Sequence, residues 1–393
     1  MKIEIQDDDL STRVYDPDTL EKIRQDIIFV DSSSKEDSIL QIFQAYLNGQ
    51  KQVLFDDENQ SIKDLLKNND FKDVEFSMLM FTSGSTGKPT GAFKSRENLE
   101  REVDEWIKLV KKFNPKKVIS TVPFIHIYGI LSSVLLPYRL GIDLFFKKHF
   151  LPHDLLQAIT QNTVVVTTPL YIKALLQLDE VRDLKDVLFI SSTAPLEPEI
   201  AKKFINKFNT NLLQFFGSTE TGGIAYKAQA DELWTPISSV CISTNEESLL
   251  KIHSPFVSKL LFEEGYKKTN SMIQSFDYVE FEGDRFKIIG RNSQIFKAGG
   301  KRYSTLQVEE ILERLESVKK AYVRVNYHKG ELKDEVLEIY LESSEQISLK
   351  EVNGILKREI GNIKFPISLK IVEKISTTQM GKKVMHFDHI KPS

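Results

Sequence analysis

Between residues 26 and 191, short apolar runs alternate with segments of helical periodicity. Residues 26–30, 37–48 and 52–55 give a first strand, amphipathic helix and strand, with apolar residues spaced three and four apart in the helix. Further strands are predicted at 117–122, 143–146, 163–167 and 186–191, separated by helices at 96–113, after Tyr128, at 153–161 and at 169–178. Since parallel strands are joined by such crossovers, the sequence predicts an α/β fold with a largely parallel sheet.

The pattern changes after Phe216 to short alternating strands, including 249–252, 278–281 and 285–289. It breaks again at 290–293, and the later residues have the pattern of a helix, two strands, a helix and a strand. We therefore predict a large N-terminal domain over residues 1–291, whose part from about 217 to 291 is rich in β-strands. A small, mobile α+β domain is predicted over residues 292–393.

Composition and charge exclude several classes of protein. The chain has 393 residues, is 41% hydrophobic, and its 53 basic and 56 acidic residues are interspersed, so no face is predicted to bind nucleic acid or anionic lipid. The apolar stretch 125–146 is interrupted by charged residues and a proline, so no membrane span is predicted. The opening MKIEIQDDDL lacks the apolar core of a secretory signal, and the single cysteine, Cys241, fits a reducing cytoplasm. Cys241 lies in an apolar run and is predicted to be a core residue.

One stretch has the composition of a phosphate-binding loop. TSGSTGKPTG, residues 82–91, follows an apolar run and contains three glycines, five hydroxyls and a lysine. Glycines let backbone N–H groups approach a ligand closely, and the hydroxyls and the lysine add donors. The common phosphate-loop template fails because Thr82 replaces its first glycine and Pro89 its final Ser or Thr. A flexible surface turn is the alternative, since Gly, Ser, Thr and Pro are ordinary turn residues.

This loop and several separated segments, taken together, resemble the adenylate-forming superfamily of acyl-CoA and aryl-CoA synthetases, peptide-synthetase adenylation domains and luciferases. The segments occur in the family's order, and the resemblance covers the chain from about residue 26 onward. After the loop they are Pro123-Phe-Ile-His-Ile-Tyr-Gly129, Ser191-Ser-Thr-Ala-Pro-Leu196, Phe216-Gly-Ser-Thr-Glu-Thr221, Asp277, Gly290-Arg291, Lys297-Ala-Gly-Gly-Lys-Arg302 and Thr378-Gln-Met-Gly-Lys382.

The resemblance implies a set of binding residues for ATP and Mg²⁺. Glu220 and Thr86 would hold Mg²⁺, an ion that prefers oxygen ligands. The residues implied for ATP are Thr82, Ser83, Gly84, Ser85, Thr86, Gly87 and Lys88 at the phosphates, Ser192, Thr193, Phe216 and Gly217 at the adenine, and Asp277 and Arg291 at the ribose or phosphate.

The resemblance also implies residues for catalysis, hinge motion and thiol access. Lys382 would bridge the substrate carboxylate and the α-phosphate of ATP, and His126 would form a wall or gate of the acyl pocket. The remaining implied residues are Thr219 and Glu220 in the catalytic set, Ser293 at the hinge, and Lys297, Gly299 and Gly300 along the thiol tunnel.

Each of these residues also has a structural interpretation when it is considered alone. Glu220 could cap a following helix, Asp277 could be a turn residue, His126 could be an ordinary core histidine, and Lys382 could be a surface lysine.

The sequence also departs from the family pattern. The phosphate loop ends Pro89-Thr90-Gly91 instead of Pro-Lys-Gly, and Lys94 is the nearby residue that would replace the missing charge. Phe216 replaces a tyrosine, and Ser192-Thr193 replace glycines near the adenine. Because the loop begins at residue 82, earlier than in full-length members, the resemblance implies a shortened N-terminal subdomain.

These observations predict an AMP-forming acid–thiol ligase. No carboxylate lies in the segment 124–126, and an unpaired buried ammonium would be costly, so the predicted substrate is a non-amino acid of aryl or short to medium acyl type. Its pocket would be lined from Phe124, Ile125, His126, Tyr128 and the segment before Gly217. The predicted acceptor is the thiol of CoA or of a carrier protein's phosphopantetheine arm. The alternative is a nucleotide-binding regulatory or scaffold protein without turnover, and a ligase that stops at the adenylate or acylates an amine is a further enzymatic possibility.

Overall fold

The computed structural model describes residues 1–82, 89–291, 295–298, 301–327, 335–360, 366–377 and 383–384. Within it, the chain divides into two compact units. Unit 1 comprises Met1–Ser243, Lys251–Gln274 and Glu282–Phe286, and unit 2 comprises Thr244–Leu250, Ser275–Phe281 and Lys287–Ser393. The predicted domain boundary at 291/292 remains a prediction.

The first part of the chain contains the predicted strand–helix–strand unit. The elements are β1 (Ile3–Gln6), β2 (Thr12–Tyr15), a 3-10 turn (Pro17–Thr19), β3 (Ile27–Asp31), α1 (Lys35–Leu47), β4 (Lys51–Phe55), α2 (Gln60–Asn68), β5 (Met78–Thr82), β6 (Thr90–Lys94) and α3 (Arg96–Val110). Helix α3 begins at a capping box, in which the side chains of Ser95 and Asn98 each accept a hydrogen bond from the other residue's backbone N–H. The parallel pairing of β3 with β4 confirms the predicted unit.

The central part continues the alternation. Its elements are a 3-10 turn (Lys111–Phe113), β7 (Lys117–Ser120), α4 (Ile127–Gly129), a π-helical segment (Ile130–Leu135), α5 (Leu136–Leu140), β8 (Asp143–Lys147), α6 (Pro152–Ala158), β9 (Thr163–Thr167), α7 (Pro169–Leu176), β10 (Leu188–Ser191), α8 (Pro198–Phe208), β11 (Asn211–Ser218), β12 (Gly222–Ala228) and β13 (Thr235–Pro236). Proline lies in the first turn of α6, α7 and α8, where its missing N–H costs nothing.

A nine-stranded sheet forms the centre of unit 1, in the order β13-β12-β11-β10-β9-β7-β8-β1-β2. Strands β8, β7, β9, β10 and β11 are parallel neighbours. Alternate residues along these strands face two different cores: in β10, Leu188 and Ile190 join one apolar cluster, whereas Phe189 joins the other, with α6, α7 and α8. Burial on both faces explains the nearly continuous apolar runs in the sequence.

A second, six-stranded sheet has the order β17-β16-β6-β5-β4-β3, where β16 is Leu260–Phe262 and β17 is Tyr266–Lys268. It shares the first apolar cluster with the nine-stranded sheet, so α1 and α3 contribute to a layer between two sheets. Strands β5 and β6 are antiparallel, with Thr82 opposite Thr90. The glycine-rich loop therefore connects the two strands of a hairpin.

The remaining strands and helices complete the chain. These are β14 (Cys241–Thr244), β15 (Leu249–His253), β18 (Met272–Glu282), β19 (Arg285–Arg291), β20 (Ile295–Ala298), β21 (Lys301–Ser304), α9 (Thr305–Leu312), β22 (Val318–Tyr327), β23 (Glu335–Ser343), α10 (Leu349–Glu359), β24 (Ile367–Val372), β25 (Ser376–Thr377) and β26 (Lys383–Val384). Strands β14, β15, β18 and β19 form one sheet, and β22, β23 and β24 form another. From α9 to β24 the order of helices and strands is the predicted one, and the short strands β25 and β26 are additional.

Some local predictions are corrected. Cys241 is exposed and is not a core residue, because β14 lies at the edge of its sheet. Strands β12 and β13 extend the nine-stranded sheet. The hairpin β1–β2, which lies beside β8, was not predicted. Among the described residues, no helix has the length and apolar character needed to cross a membrane.

Candidate functional site

The order in which the chain adds strands to the nine-stranded sheet reverses between β7 and β9. From β7 the chain crosses to β8 on one side, then returns to β9 on the other side of β7 and continues to β10 and β11. In open parallel sheets, ligands bind in the crevice at such a switch point, outside the carboxyl ends of the strands. Three family-like motifs lie at the carboxyl ends of these strands: one begins at Pro123 just after β7, one at Ser191, the last residue of β10, and one at Phe216 near the end of β11. The topology therefore brings them to one edge of the sheet.

The motif after β7 is a tightly packed turn. A Cβ atom at Gly129 would lie 2.0 Å from the carbonyl oxygen of Pro123, so only glycine fits there. Tyr128 is buried, and its hydroxyl lies 2.9 Å from the carbonyl oxygen of Thr167 and 2.8 Å from that of Ile190. Tyr128 thus joins the motif to the ends of β9 and β10.

The predicted acid-pocket residues of this motif have different environments. Phe124 and Ile125 are buried, and the ring of Phe124 packs against Phe146 at 4.9 Å between centroids. His126 is half-buried and precedes α4. Its burial lowers its pKa, opposed by the charge of Asp56. Since neutral imidazole is therefore favoured, His126 suits hydrogen bonding rather than charge pairing.

Asp56 is a neighbour that the sequence pattern did not reveal. It lies just after β4, and its carboxylate accepts hydrogen bonds from the hydroxyl of Ser32 at 3.1 Å and the backbone N–H of Glu58 at 3.1 Å. Seventy residues separate it from His126 in the sequence, so local patterns could not pair them.

The segment after β10 retains a backbone conformation typical of glycine. Thr193 has φ +83°, a value that β-branched residues rarely adopt. The hydroxyl of Ser192 donates to the carbonyl oxygen of Phe215 at 2.8 Å, which ties this segment to β11. The two non-glycine residues at the predicted adenine side are therefore accommodated without loss of the turn.

Phe216 and Gly217 lie at the end of β11. The ring of Phe216 contacts Trp234 at 5.5 Å and Phe286 at 6.3 Å between centroids, so it belongs to an aromatic group. A Cβ atom at Gly217 would lie 2.3 Å from the carbonyl oxygen of Gly222, which requires glycine where the two strands of the hairpin approach.

Glu220 lies in the turn between β11 and β12, next to Thr219. A strand follows it, so the alternative that Glu220 caps a helix is wrong. The hydroxyl of Thr82 donates to Oε1 of Glu220 at 3.0 Å. This contact joins the first residue of the glycine-rich loop to the predicted metal ligand, across 138 residues of sequence.

Lys94 does not replace the missing loop lysine. It is 0% exposed, and its Nζ donates to the carbonyl oxygens of Phe256 at 2.7 Å and Glu220 at 3.3 Å. An ammonium held in this way is directed at the protein backbone and not at a phosphate group.

Asp277 belongs to unit 2. It is 7% exposed, lies within β18, and is therefore not a turn residue. Its backbone N–H donates to the hydroxyl of Ser275 at 3.0 Å. Arg291 is the last residue of β19, and Lys297 lies in β20. The other predicted site residues lie outside the described residues: Ser83, Gly84, Ser85, Thr86, Gly87, Lys88, Ser293, Gly299, Gly300 and Lys382.

The fold defines an α/β protein whose candidate motifs lie at the switch point of a largely parallel sheet. Residues 16–249 match the model of the AMP-binding enzyme family. The chain therefore belongs to the AMP-binding enzyme family.

Curated relatives share part of their length with this chain. It is 27% identical to the 4-coumarate–CoA ligase of Cereibacter sphaeroides over 62% of this chain and 56% of that one. It is 22% identical to the long-chain-fatty-acid–CoA ligase of Bacillus subtilis over 78% and 60%, respectively. It is 24% identical to the 2-succinylbenzoate–CoA ligase of Listeria monocytogenes over 77% and 68%, respectively. The chain thus spans between about half and two thirds of the length of these relatives.

Solved structures confirm the fold. The o-succinylbenzoate CoA synthetase MenE of Bacillus subtilis, in complex with its acyl-adenylate intermediate OSB-AMP, has a TM-score of 0.77 at 15% identity, covering 92% of this chain and 87% of that one. MatB of Rhodopseudomonas palustris bound to ATP has a TM-score of 0.70 at 18% identity, covering 91% and 77%, respectively. At these identities the similarity establishes the adenylate-forming fold alone.

Proposed function

We propose that this protein uses ATP to convert a carboxylic acid into an acyl-adenylate and then transfers the acyl group to a thiol. The observation that carries the proposal is the 3.0 Å hydrogen bond from Thr82 to Glu220. It joins the start of the loop proposed for the phosphates to the glutamate proposed for the metal, at the edge of the sheet where the topology favours a ligand. Membership of the AMP-binding enzyme family supports the same assignment.

The proposed reaction joins two anions, the substrate carboxylate and the α-phosphate of ATP. Donors and cations must neutralise the charge that develops between them. Glu220 and Thr82 supply oxygen atoms of the kind that Mg²⁺ prefers, and the sequence adds Thr86 as a further candidate ligand. When bound, Mg²⁺ would balance phosphate charge. The proposed part of Lys382 is to hold the substrate carboxylate beside the α-phosphate.

The proposed acid is a non-amino aryl or short to medium acyl acid. The apolar residues Phe124, Ile125 and Tyr128 support this choice, as does the favoured neutral form of His126. Asp56 adds a carboxylate whose charge acts on His126, so acids that carry an amine distant from the carboxyl group belong in the test panel.

The proposed acceptor is the thiol of CoA or of a carrier protein's phosphopantetheine arm. The curated relatives named above are CoA ligases, which favours CoA as the first acceptor to test. A cytoplasmic location is proposed because the single cysteine suits a reducing compartment.

The experiment that tests this function is exchange of labelled pyrophosphate into ATP, measured across aryl, fatty and amino acids in the presence of Mg²⁺. Exchange that depends on an aryl or acyl acid would establish adenylation and identify the substrate class. AMP release that depends on added CoA or carrier protein would then identify the acceptor. Protein that binds ATP but supports no exchange with any acid would contradict the proposal and favour a nucleotide-binding scaffold.

Lys382→Ala is the first variant to measure in this assay. We expect the exchange rate to fall by about 100-fold or more, because a cation that stabilises developing charge acts mainly in the transition state. The matched control is Lys350→Ala, which removes an exposed lysine at the start of α10. Unchanged exchange in the Lys382 variant would remove that residue from the mechanism without removing the proposed function.

A further inference from the structure

A buried lysine, Lys94, donates hydrogen bonds to the backbone of the turn that contains Glu220. Nζ of Lys94 donates to the carbonyl oxygens of Glu220 and Phe256, at 3.3 and 2.7 Å. The backbone N–H of Ser258 donates to the same Glu220 oxygen at 2.9 Å, so two donors fix this carbonyl group. Since Lys94 ends β6, which pairs with β5, it also connects the turn to the strand that ends at Thr82.

A buried carboxylate holds the strand that follows the turn. Glu102 is 1% exposed, and its Oε1 accepts the backbone N–H of Gly223 at 2.5 Å. Its Oε2 would lie 2.4 Å from a Cβ atom at Gly222, which has φ +69°. The carboxylate therefore presses directly on the backbone where the turn enters β12, and glycine is needed there for both reasons.

We propose that Lys94 and Glu102 form a buried positioning pair, which sets the orientation of Glu220 for binding a divalent cation with the nucleotide. This inference rests on the proposed function, since it concerns the same cation. Neither residue is proposed to touch substrate. Each acts through the backbone near Glu220. Lys94 donates to the carbonyl oxygen of Glu220, and Glu102 accepts from the N–H of Gly223 at the start of β12.

The chemistry of the pair supports a positioning part. Burying a charged side chain is costly, and apolar residues of similar size at such places often stabilise a fold as well or better. An apolar pair could fill the space but could not hold one carbonyl and one N–H group of the same turn in fixed directions. Removing a residue that orients a metal ligand typically lowers metal affinity or activity by about 10- to 100-fold.

The variants that test the pair are Lys94→Met, which keeps an unbranched apolar chain but removes the ammonium, and Glu102→Gln, which keeps an oxygen for the N–H of Gly223. The control is Lys117→Met. That lysine is also in unit 1 and pairs with Glu4 at 3.4 Å, but it lies at the amino end of β7, away from the candidate site.

Two measurements are made on the full chain. The first is the affinity for Mn²⁺ in the presence of α,β-methylene-ATP, by electron paramagnetic resonance, beside the affinity for adenosine alone. The second is hydrogen exchange of peptides spanning residues 216–226. For Lys94→Met we expect Mn²⁺ affinity to fall about 10-fold or more, adenosine affinity to be unchanged, and exchange to rise in this peptide but not throughout unit 1. Lys117→Met should change none of these values.

Lys94→Met that is folded and binds Mn²⁺ as wild type does would overturn the proposal. If that variant does not fold, Glu102→Gln decides, with a smaller loss of Mn²⁺ affinity expected and an unchanged affinity counting against the pair. Failure of the proposed function would look different. Wild-type protein that neither exchanges pyrophosphate nor binds Mn²⁺ with the nucleotide would overturn both inferences together.

Discussion

Two lysines with internal hydrogen bonds, one in each unit, have different surroundings: Lys94 is fully buried, whereas the side chain of Lys383 is 26% exposed. Lys94 in unit 1 donates to two carbonyl oxygens, and no carboxylate among the described residues lies within ion-pair distance of it in the structure. Lys383 in unit 2 lies 2.8 Å from Oε2 of Glu309 and 2.6 Å from Oε1 of Glu313, and also donates to the carbonyl oxygen of Ala321 at 2.9 Å.

The pKa values follow this difference. Burial lowers the pKa of Lys94 to about 8, although the charges of Glu102 and Glu220 oppose the shift. Burial acts in the same direction on Lys383, but Glu309 and Glu313 outweigh it and raise its pKa. The two lysines show that burial alone does not decide the charge of a lysine, because direct carboxylate partners can reverse its effect.

The two sites also differ in what they join. Lys383 connects β26 to the side chains of α9 and its following turn, which stabilises the packing of unit 2. Lys94 connects β6 to the turn of Glu220, and its ammonium donates to carbonyl oxygens instead of pairing with a carboxylate. An unfavourable charge retained at a candidate site is typical of a functional rather than a purely structural group.

The largest effect is expected from removing the well-paired lysine. Lys383→Met should destabilise unit 2 by about 3 to 5 kcal/mol, because it leaves the buried Glu309 without its counter-ion. Lys94→Met should cost unit 1 less, about 1 to 3 kcal/mol, since it mainly leaves a carbonyl group without a donor.

These costs can be measured unit by unit. Both tryptophans, Trp106 and Trp234, belong to unit 1, so tryptophan fluorescence during urea unfolding reports that unit. Hydrogen exchange of peptides from β22 and β23 reports unit 2. Equal costs for the two substitutions, or a larger one at Lys94, would contradict the contrast between the two lysines.

A smaller effect is expected from alkaline pH. The pKa of Lys94 is lowered from its ordinary value of 10.5 to about 8, so between these pH values the unfolded chain holds a proton that the folded chain has released. Stability should therefore rise with pH in this window, by about 2 kcal/mol between pH 8 and 10 relative to Lys94→Met. The raised pKa of Lys383 predicts the reverse: its contribution is present below pH 10.5 and is lost above it.

Urea unfolding at several pH values between 7.5 and 10 tests this difference. The gap in stability between wild type and Lys94→Met should change steadily in favour of wild type as pH rises, whereas the gap between wild type and Lys383→Met should stay constant. A constant gap for Lys94→Met would show that the lysine keeps its ordinary pKa in the fold.

The smallest effect is expected at Thr193, another unfavourable feature near the candidate site. Backbone strain at φ +83° costs a β-branched residue about 1 to 3 kcal/mol. Glycine relieves this strain, but the greater conformational freedom of glycine in the unfolded chain offsets part of the gain in stability. Thr193→Gly should therefore stabilise unit 1 by about 1 kcal/mol, measured by tryptophan fluorescence. A destabilised variant would indicate that the side chain of Thr193 contributes more than the strain costs.

Periodicity alone was enough to predict much of the architecture. The strand–helix–strand unit around α1, the parallel strands β7 to β10 and the elements from α9 to β24 were predictable, because each has an apolar pattern of its own within a few residues. Helix α8 and the hairpin β1–β2 were not predicted. The residues of β2 are mostly exposed, so this strand carries little apolar signal.

The candidate motifs could also be found in the sequence, because each loop motif consists of consecutive residues of characteristic types. Only the fold brings particular motifs together: Thr82 with Glu220, Asp56 near His126, and Lys94 with the backbone beneath Glu220. The fold also leaves Cys241 exposed and encloses Lys94, although composition suggested otherwise. The physical reason is that burial and charge pairing depend on strand order and crossover, which join residues far apart in the chain and leave no local pattern.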